Sequence, residues 1–144
     1  HHLFSGLSSM RRYFRRDFDY AREQQADQVL GACFLMTRAA IDRIGMLDER
    51  YFMWFEEVDY CRMAKNAGLE VWYTPQAQII HHGGQSFAQV FAPRRQRFYD
   101  DSLAKYMRKH HGVAASLVIR VLHPPALAIA WTVGVLGMRR KKYA

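Results

Sequence analysis

Residues 47–61, LDERYFMWFEEVDYC, constrain the fold more than any other stretch of this chain. Five acids, Asp48, Glu49, Glu56, Glu57 and Asp59, surround Tyr51, Phe52, Trp54 and Phe55. Aromatic rings gain from leaving water, whereas a carboxylate loses hydration when it is buried. A segment that needs both lines a cleft, where a partly desolvated carboxylate can be tuned for proton transfer. A helix is expected from Glu56, with Glu56 and Asp59 sharing one face and Glu57 pointing elsewhere. The plainer alternative is that these acids only complement the positive end of the helix dipole.

The flanking sequence gives that segment a setting. Residues 29–37, VLGACFLMT, read as a short buried strand with close backbone approach at Gly31. Arg38–Ile44 reads as a short helix stopped by Gly45, and the acidic helix should end at Gly68. Residues 70–74 and 78–81 read as short strands separated by Pro75. The loop from His81 through Ser86, HHGGQS, is built of ligand-type and flexible residues. Residues 91–111 form a basic amphipathic helix stopped by Gly112. Beyond it lies an apolar tail interrupted by Arg120, His123, Pro124 and Pro125. Its uninterrupted part, 126–138, is short of the roughly 20 residues of a spanning helix. Arg139 to Lys142 give it a basic end, so an apolar hairpin or an in-plane helix on an anionic membrane is expected, against a core helix packing on a further domain.

At 144 residues the chain is long enough for one domain with a core. Its formal net charge of +8 suits an anionic partner: nucleic acid, an acidic membrane surface or a phosphate-bearing substrate. Cys33 and Cys61 read as small buried hydrophobes rather than a disulfide framework. The basic N-terminal arm, with Arg11, Arg12, Tyr13, Phe14, Arg15 and Arg16, has the form of a nucleic-acid or membrane arm, against the commoner reading of a solvated loop or a helix packed by its aromatics. Asp17-Phe18-Asp19 looks like a metal-binding Asp-x-Asp, against the commoner reading of a chance pair of acids. The start carries neither a secretory signal pattern nor an initiator Met, which suggests a piece of a longer chain.

Taken in order, the motifs resemble the C-terminal half of the catalytic domain of family 2 glycosyltransferases, in particular the rhamnosyltransferase-like members. GACFLMTR (31–38), IGMLDERYFM (44–53), EEVDYCR (56–62), AGLEVWYTP (67–75), HHGGQS (81–86) and YMRKHHG (106–112) carry the likeness. It implies an α/β fold: the acceptor-side half of a GT-A, Rossmann-like domain over residues 1–112, with a few short strands among helices. Residues 113–144 would be a helical, apolar, basic-ended tail. The resemblance implies inverting transfer of a sugar, rhamnose being one candidate, from a nucleotide-diphosphate sugar to a glycan or lipid-linked saccharide acceptor. Nucleic acid is not an expected partner. The implied location is peripheral, at the cytoplasmic face of the bacterial inner membrane.

In that family the base is the Asp of an acidic pair, which falls on Glu57, one methylene longer. Glu56 would orient the site or bind acceptor hydroxyls. Asp59 would either join the catalytic group or anchor its helix through Arg62 or a backbone amide. Asp48 would order the turn or touch acceptor, and Trp54 would stack on a sugar or pack in the core. Gly31, Ala32 and Ser86 would contact substrate. His81 would bind the divalent metal (Mg or Mn) or a phosphate oxygen, with the main metal ligands outside this chain. The family's nucleotide-binding half has no room upstream of Val29, so the isolated chain is expected to be inactive. Two alternatives explain less: a non-catalytic, basic membrane-peripheral or nucleic-acid-binding module, and a degenerate transferase remnant.

Overall fold

The computed structural model describes residues 18–82 and 90–141. The basic arm, Gly83, Gly84 and Ser86 lie outside them. The elements are β1 (Gln24–Gln25), a 3₁₀ turn (Gly31–Cys33), α1 (Arg38–Ile44), α2 (Glu56–Asn66), β2 (Trp72–Tyr73) and α3 (Ala92–Lys141). The strands pair antiparallel, Gln24 opposite Tyr73 and Gln25 opposite Trp72. The N–H of Ala26 extends the pairing to the Val71 carbonyl at 2.9 Å.

Helix α2 is the centre of the molecule because two of its flanks are covered. On one, Cys61 and Ala64 meet Ala26 and Val71, with Val29, Phe34, Ile44 and Leu69 packed around them. Tyr60 lies edge-on to Phe34. On the other, Asp59 faces α3, where Ser102 and Ala104 are buried. At the far end the Ala67 and Gly68 N–H groups close on carbonyls of the last turn. Gly68 takes a positive φ of 74°, the left-handed stop its sequence called for. Helix α1 is held at its start by Thr37, whose hydroxyl accepts from the Ala40 N–H at 3.2 Å.

Several expected elements differ. Residues 29–37 do not form a strand: Leu30 and Phe34 are extended, but the Cys33 N–H closes a turn onto the Leu30 carbonyl. A strand needs a hydrogen-bonded neighbour, and no neighbour pairs with this run among the described residues. For the same reason 78–81 is irregular and 70–74 shrinks to the two residues opposite β1. Cys61 is buried as expected, but the turn leaves Cys33 exposed.

The last difference concerns the tail. Gly112 (φ 88°, ψ 177°) breaks the helical path of α3 and divides it into two arms. The second arm then runs as one helix through Pro124 and Pro125, whose ring-locked φ is itself close to a helical value. The interruption read from the sequence is therefore absent. Among the described residues, the helix over Ala92–Val133 is long and apolar enough to cross a membrane by length and composition, and little of its apolar stretch is buried. His123 Nδ1 lies 2.8 Å from Asp100 Oδ2, so the second arm passes back alongside the first.

Candidate active site

The approach to α2 is backbone that side chains normally avoid. Trp54 (φ 61°) and Phe55 (φ 71°) both lie in the left-handed region, which costs an L-residue about 1–2 kcal/mol each. Phe55 occupies the N-cap position, so the helix starts without a capping side chain, and Glu56, Glu57 and Asp59 stand in its first turn. The first arm of α3 holds this turn. Ser102 Oγ donates to the Met53 carbonyl at 2.7 Å and Lys105 Nζ to the Arg50 carbonyl at 2.6 Å. Phe55 packs between Tyr99 and Tyr106, and Trp54 sits edge-on to Tyr99 at 5.9 Å.

Asp59 is the most enclosed of the acids, 1% exposed. Lys109 Nζ lies 2.6 Å from Oδ2, His110 Nε2 2.6 Å from Oδ1, and the Tyr51 hydroxyl 3.3 Å from Oδ1. Burial first, and then the Asp59 charge, push the Tyr51 phenol above its ordinary range. Asp59 thus anchors α2 to α3 through Lys109 and His110. Arg62, the anchor expected from the sequence, turns instead to the Tyr106 hydroxyl and His111. Asp48 shares Lys109 at 3.1 Å and accepts from Arg50 Nε at 2.8 Å. The Arg50 hydrogen bond, against some opposing burial, holds the Asp48 carboxyl well below the usual carboxylate range.

Glu56 and Glu57 have the opposite environment. Each has one carboxylate oxygen, Oε2, shut off from solvent with no hydrogen-bond partner among the described residues. Burial pushes the Glu57 carboxyl above its ordinary range. Its own N–H pulls the other way, the Glu56 charge adds to the rise, and the N–H groups of Gly31 and Val58 offset part of it. Gly31 packs directly on this side chain: a Cβ there would stand 3.7 Å from Glu57 Cδ. The 3₁₀ turn therefore lies against the candidate base, and the close approach expected at Gly31 is to Glu57.

Ala32 and His81 line an open, largely apolar cleft of about 970 Å³, together with Cys33, Phe34, Tyr60 and Trp72. His81 is exposed. No group of three His, Cys, Asp or Glu side chains able to hold a metal ion occurs among the described residues. The described residues do not by themselves make up a divalent-ion site. Lys109 and His110 were not read from the sequence as site residues. Their signal was the KHHG run at the end of the basic helix, which periodicity alone presents as a solvated face.

The family described as "Glycosyltransferase like family 2" matches residues 2–100. An N-acetylglucosaminyl-diphospho-decaprenol L-rhamnosyltransferase of Mycobacterium tuberculosis is 38% identical over 64 residues, 44% of this chain and 21% of that protein. A low-salt glycan biosynthesis hexosyltransferase of Haloferax volcanii is 27% identical over 78 residues, covering 50% of this chain and 25% of the relative. The matched segments thus span a quarter or less of these relatives. No solved structure matches significantly.

Proposed function

The chain belongs to glycosyltransferase-like family 2, and on that premise we propose that it is the acceptor-side part of an inverting glycosyltransferase with Glu57 as general base. The observation that carries the assignment is the Oε2 of Glu57, which has no hydrogen-bond partner among the described residues, on a carboxylate raised by burial beside the Gly31 turn. A base works best when its affinity for protons approaches the operating pH, and it needs a lone pair that no structural partner occupies.

In the proposed step the acceptor hydroxyl oxygen attacks the anomeric carbon of a nucleotide-diphosphate sugar. The new C–O bond forms as the bond to the diphosphate breaks. The hydroxyl proton passes to the Glu57 carboxylate, and the nucleoside diphosphate leaves with the bonding electron pair. Glu56, whose Oε2 likewise has no partner among the described residues, would receive further acceptor hydroxyls. Asp59, with both oxygens engaged, would hold the helix rather than touch substrate.

The donor sugar is proposed to be a hexose of the rhamnose type and the acceptor a lipid-linked saccharide. The Mycobacterium relative's name, which specifies a diphospho-decaprenol acceptor and L-rhamnosyl transfer, supports both. The exposed apolar second arm of α3 supports attachment to a membrane, in the proposal the cytoplasmic face of the bacterial inner membrane. The divalent metal, its principal ligands and the nucleotide pocket would come from sequence beyond this chain, with His81 at most one contributor, so residues 1–144 alone would not turn over.

The test is release of nucleoside diphosphate from a panel of nucleotide sugars by the full-length protein. Glu57→Gln should lose on the order of 10²- to 10⁴-fold in kcat while still binding donor. A Glu57→Gln enzyme as fast as the parent would overturn the assignment.

A further inference from the structure

We propose that Lys109 is a positioning residue for Glu57, acting through the left-handed turn at Trp54 and Phe55; the proposal rests on the general-base reading above. Its ammonium group reaches two carboxylates at opposite ends of the acidic-aromatic segment. Asp48 Oδ2 is 3.1 Å away and Asp59 Oδ2 is 2.6 Å away. One side chain thus ties the entrance of the loop to the first turn of α2. Between these anchors lie the two residues with positive φ, Trp54 and Phe55. A conformation of this kind persists only when its surroundings over-determine it.

The other holds on the loop come from the same face of α3. Ser102, Lys105, Tyr106, Lys109 and His110 follow at helical three- and four-residue spacings, and each touches the segment or the start of α2. Ser102 and Lys105 grip backbone carbonyls, Tyr106 a ring, and His110 the second oxygen of Asp59. Lys109 differs in drawing together two like charges that repel once the cation between them is removed.

Lys109 acts at a distance from the chemistry. Glu57 and Asp59 are two positions apart, so their side chains leave α2 about 200° apart. Glu57 packs on Gly31, on the flank away from Lys109. Without Lys109 the loop ends separate, Trp54 and Phe55 relax towards negative φ, and the start of α2 rotates. Glu57 keeps its chemistry and loses its aim.

The experiment compares Lys109→Met, Lys109→Arg and Glu57→Gln in the full-length protein, singly and with Lys109→Met combined with Glu57→Gln. Lys109→Met should lower kcat on the order of a hundredfold, the scale of a 1 Å misplacement, with both KM values within about threefold of the parent. Lys109→Arg, which keeps the charge and the reach, should recover most of the rate. In the Glu57→Gln background Lys109→Met should cost less than about threefold, because the group it aims is already gone. An equal loss in both backgrounds would overturn the proposal. So would an unchanged kcat per folded molecule. A Glu57→Gln single variant with the parent rate would fell the base reading, and the proposal with it, and is recognised from that variant alone. If Lys109→Met yields no folded protein, Asp48→Asn cuts the same tie from its other end and is held to the same outcomes.

Discussion

The two flanks of helix α2 carry the same chemical group in opposite conditions. Towards α3, Asp59 is sealed from solvent, and Lys109, His110 and Tyr51 engage both of its oxygens. Towards the Gly31 turn, Glu57 is only partly buried, yet one of its oxygens finds no hydrogen-bond partner among the described residues. Burial alone therefore does not mark a working acid. A carboxylate whose lone pairs are all matched is committed to the fold. One that is desolvated and left unmatched stores the cost of its ionised form, and an incoming proton releases it.

This contrast can be broken in graded ways. The largest effect is expected at Glu57, where Gln should remove 10²- to 10⁴-fold of kcat, about 3–5 kcal/mol, and leave the thermal midpoint unchanged or raised. Asp59→Ala should do the reverse and cost about 3–5 kcal/mol of stability by stranding Lys109 and His110, read as a drop in denaturant midpoint. If Asp59→Ala left stability intact and removed only activity, the division of labour between the flanks would be wrong.

A pH series sharpens the comparison. Folded Glu57 binds its proton more tightly than the unfolded chain does, because burial raises it. The native state then holds more protons across that interval, so this group's contribution to stability falls as pH rises through its raised pKa. Glu57→Gln should flatten that slope in denaturant melts recorded across the carboxylate range. The acidic limb of kcat/KM should lie above the range of an ordinary glutamate.

The smallest effects belong to glycines. Gly68→Ala should cost about 1–2 kcal/mol through its positive φ. Gly31→Ala should change stability by no more than about 0.5 kcal/mol, because the added methyl would meet Glu57 at ordinary contact distance. A large loss of rate in a well-folded Gly31→Ala protein would show that the turn contacts substrate as well as the base.

What the sequence revealed followed the range of the interactions. The α2 helix, its acidic first turn and its Gly68 stop are local features, and their residues announce them. Gly31 was legible as a point of close approach, although not what approached it. The partners of Asp59 were not legible, since 50 and 51 positions separate it from Lys109 and His110 and no periodicity spans that gap. The run 29–37 has strand composition, but whether such a run becomes a strand depends on a neighbour its own residues do not specify. Nor do Trp54 and Phe55 announce a left-handed turn, since aromatic residues take that conformation only when packing compels them.

The break at Gly112 gives the two arms of α3 a fixed phase. Asp100 lies twelve positions before that glycine and His123 eleven after it, and they meet across the hairpin. One residue inserted between Gly112 and His123 would advance the second arm by about 1.5 Å and turn it by about 100°. The apolar stripe that now looks outward would swing towards the first arm, and His123 would leave Asp100. Homologous proteins that vary in length on one side of this glycine would have to compensate on the other, so the spacing is counted from the bend rather than from either end of the chain.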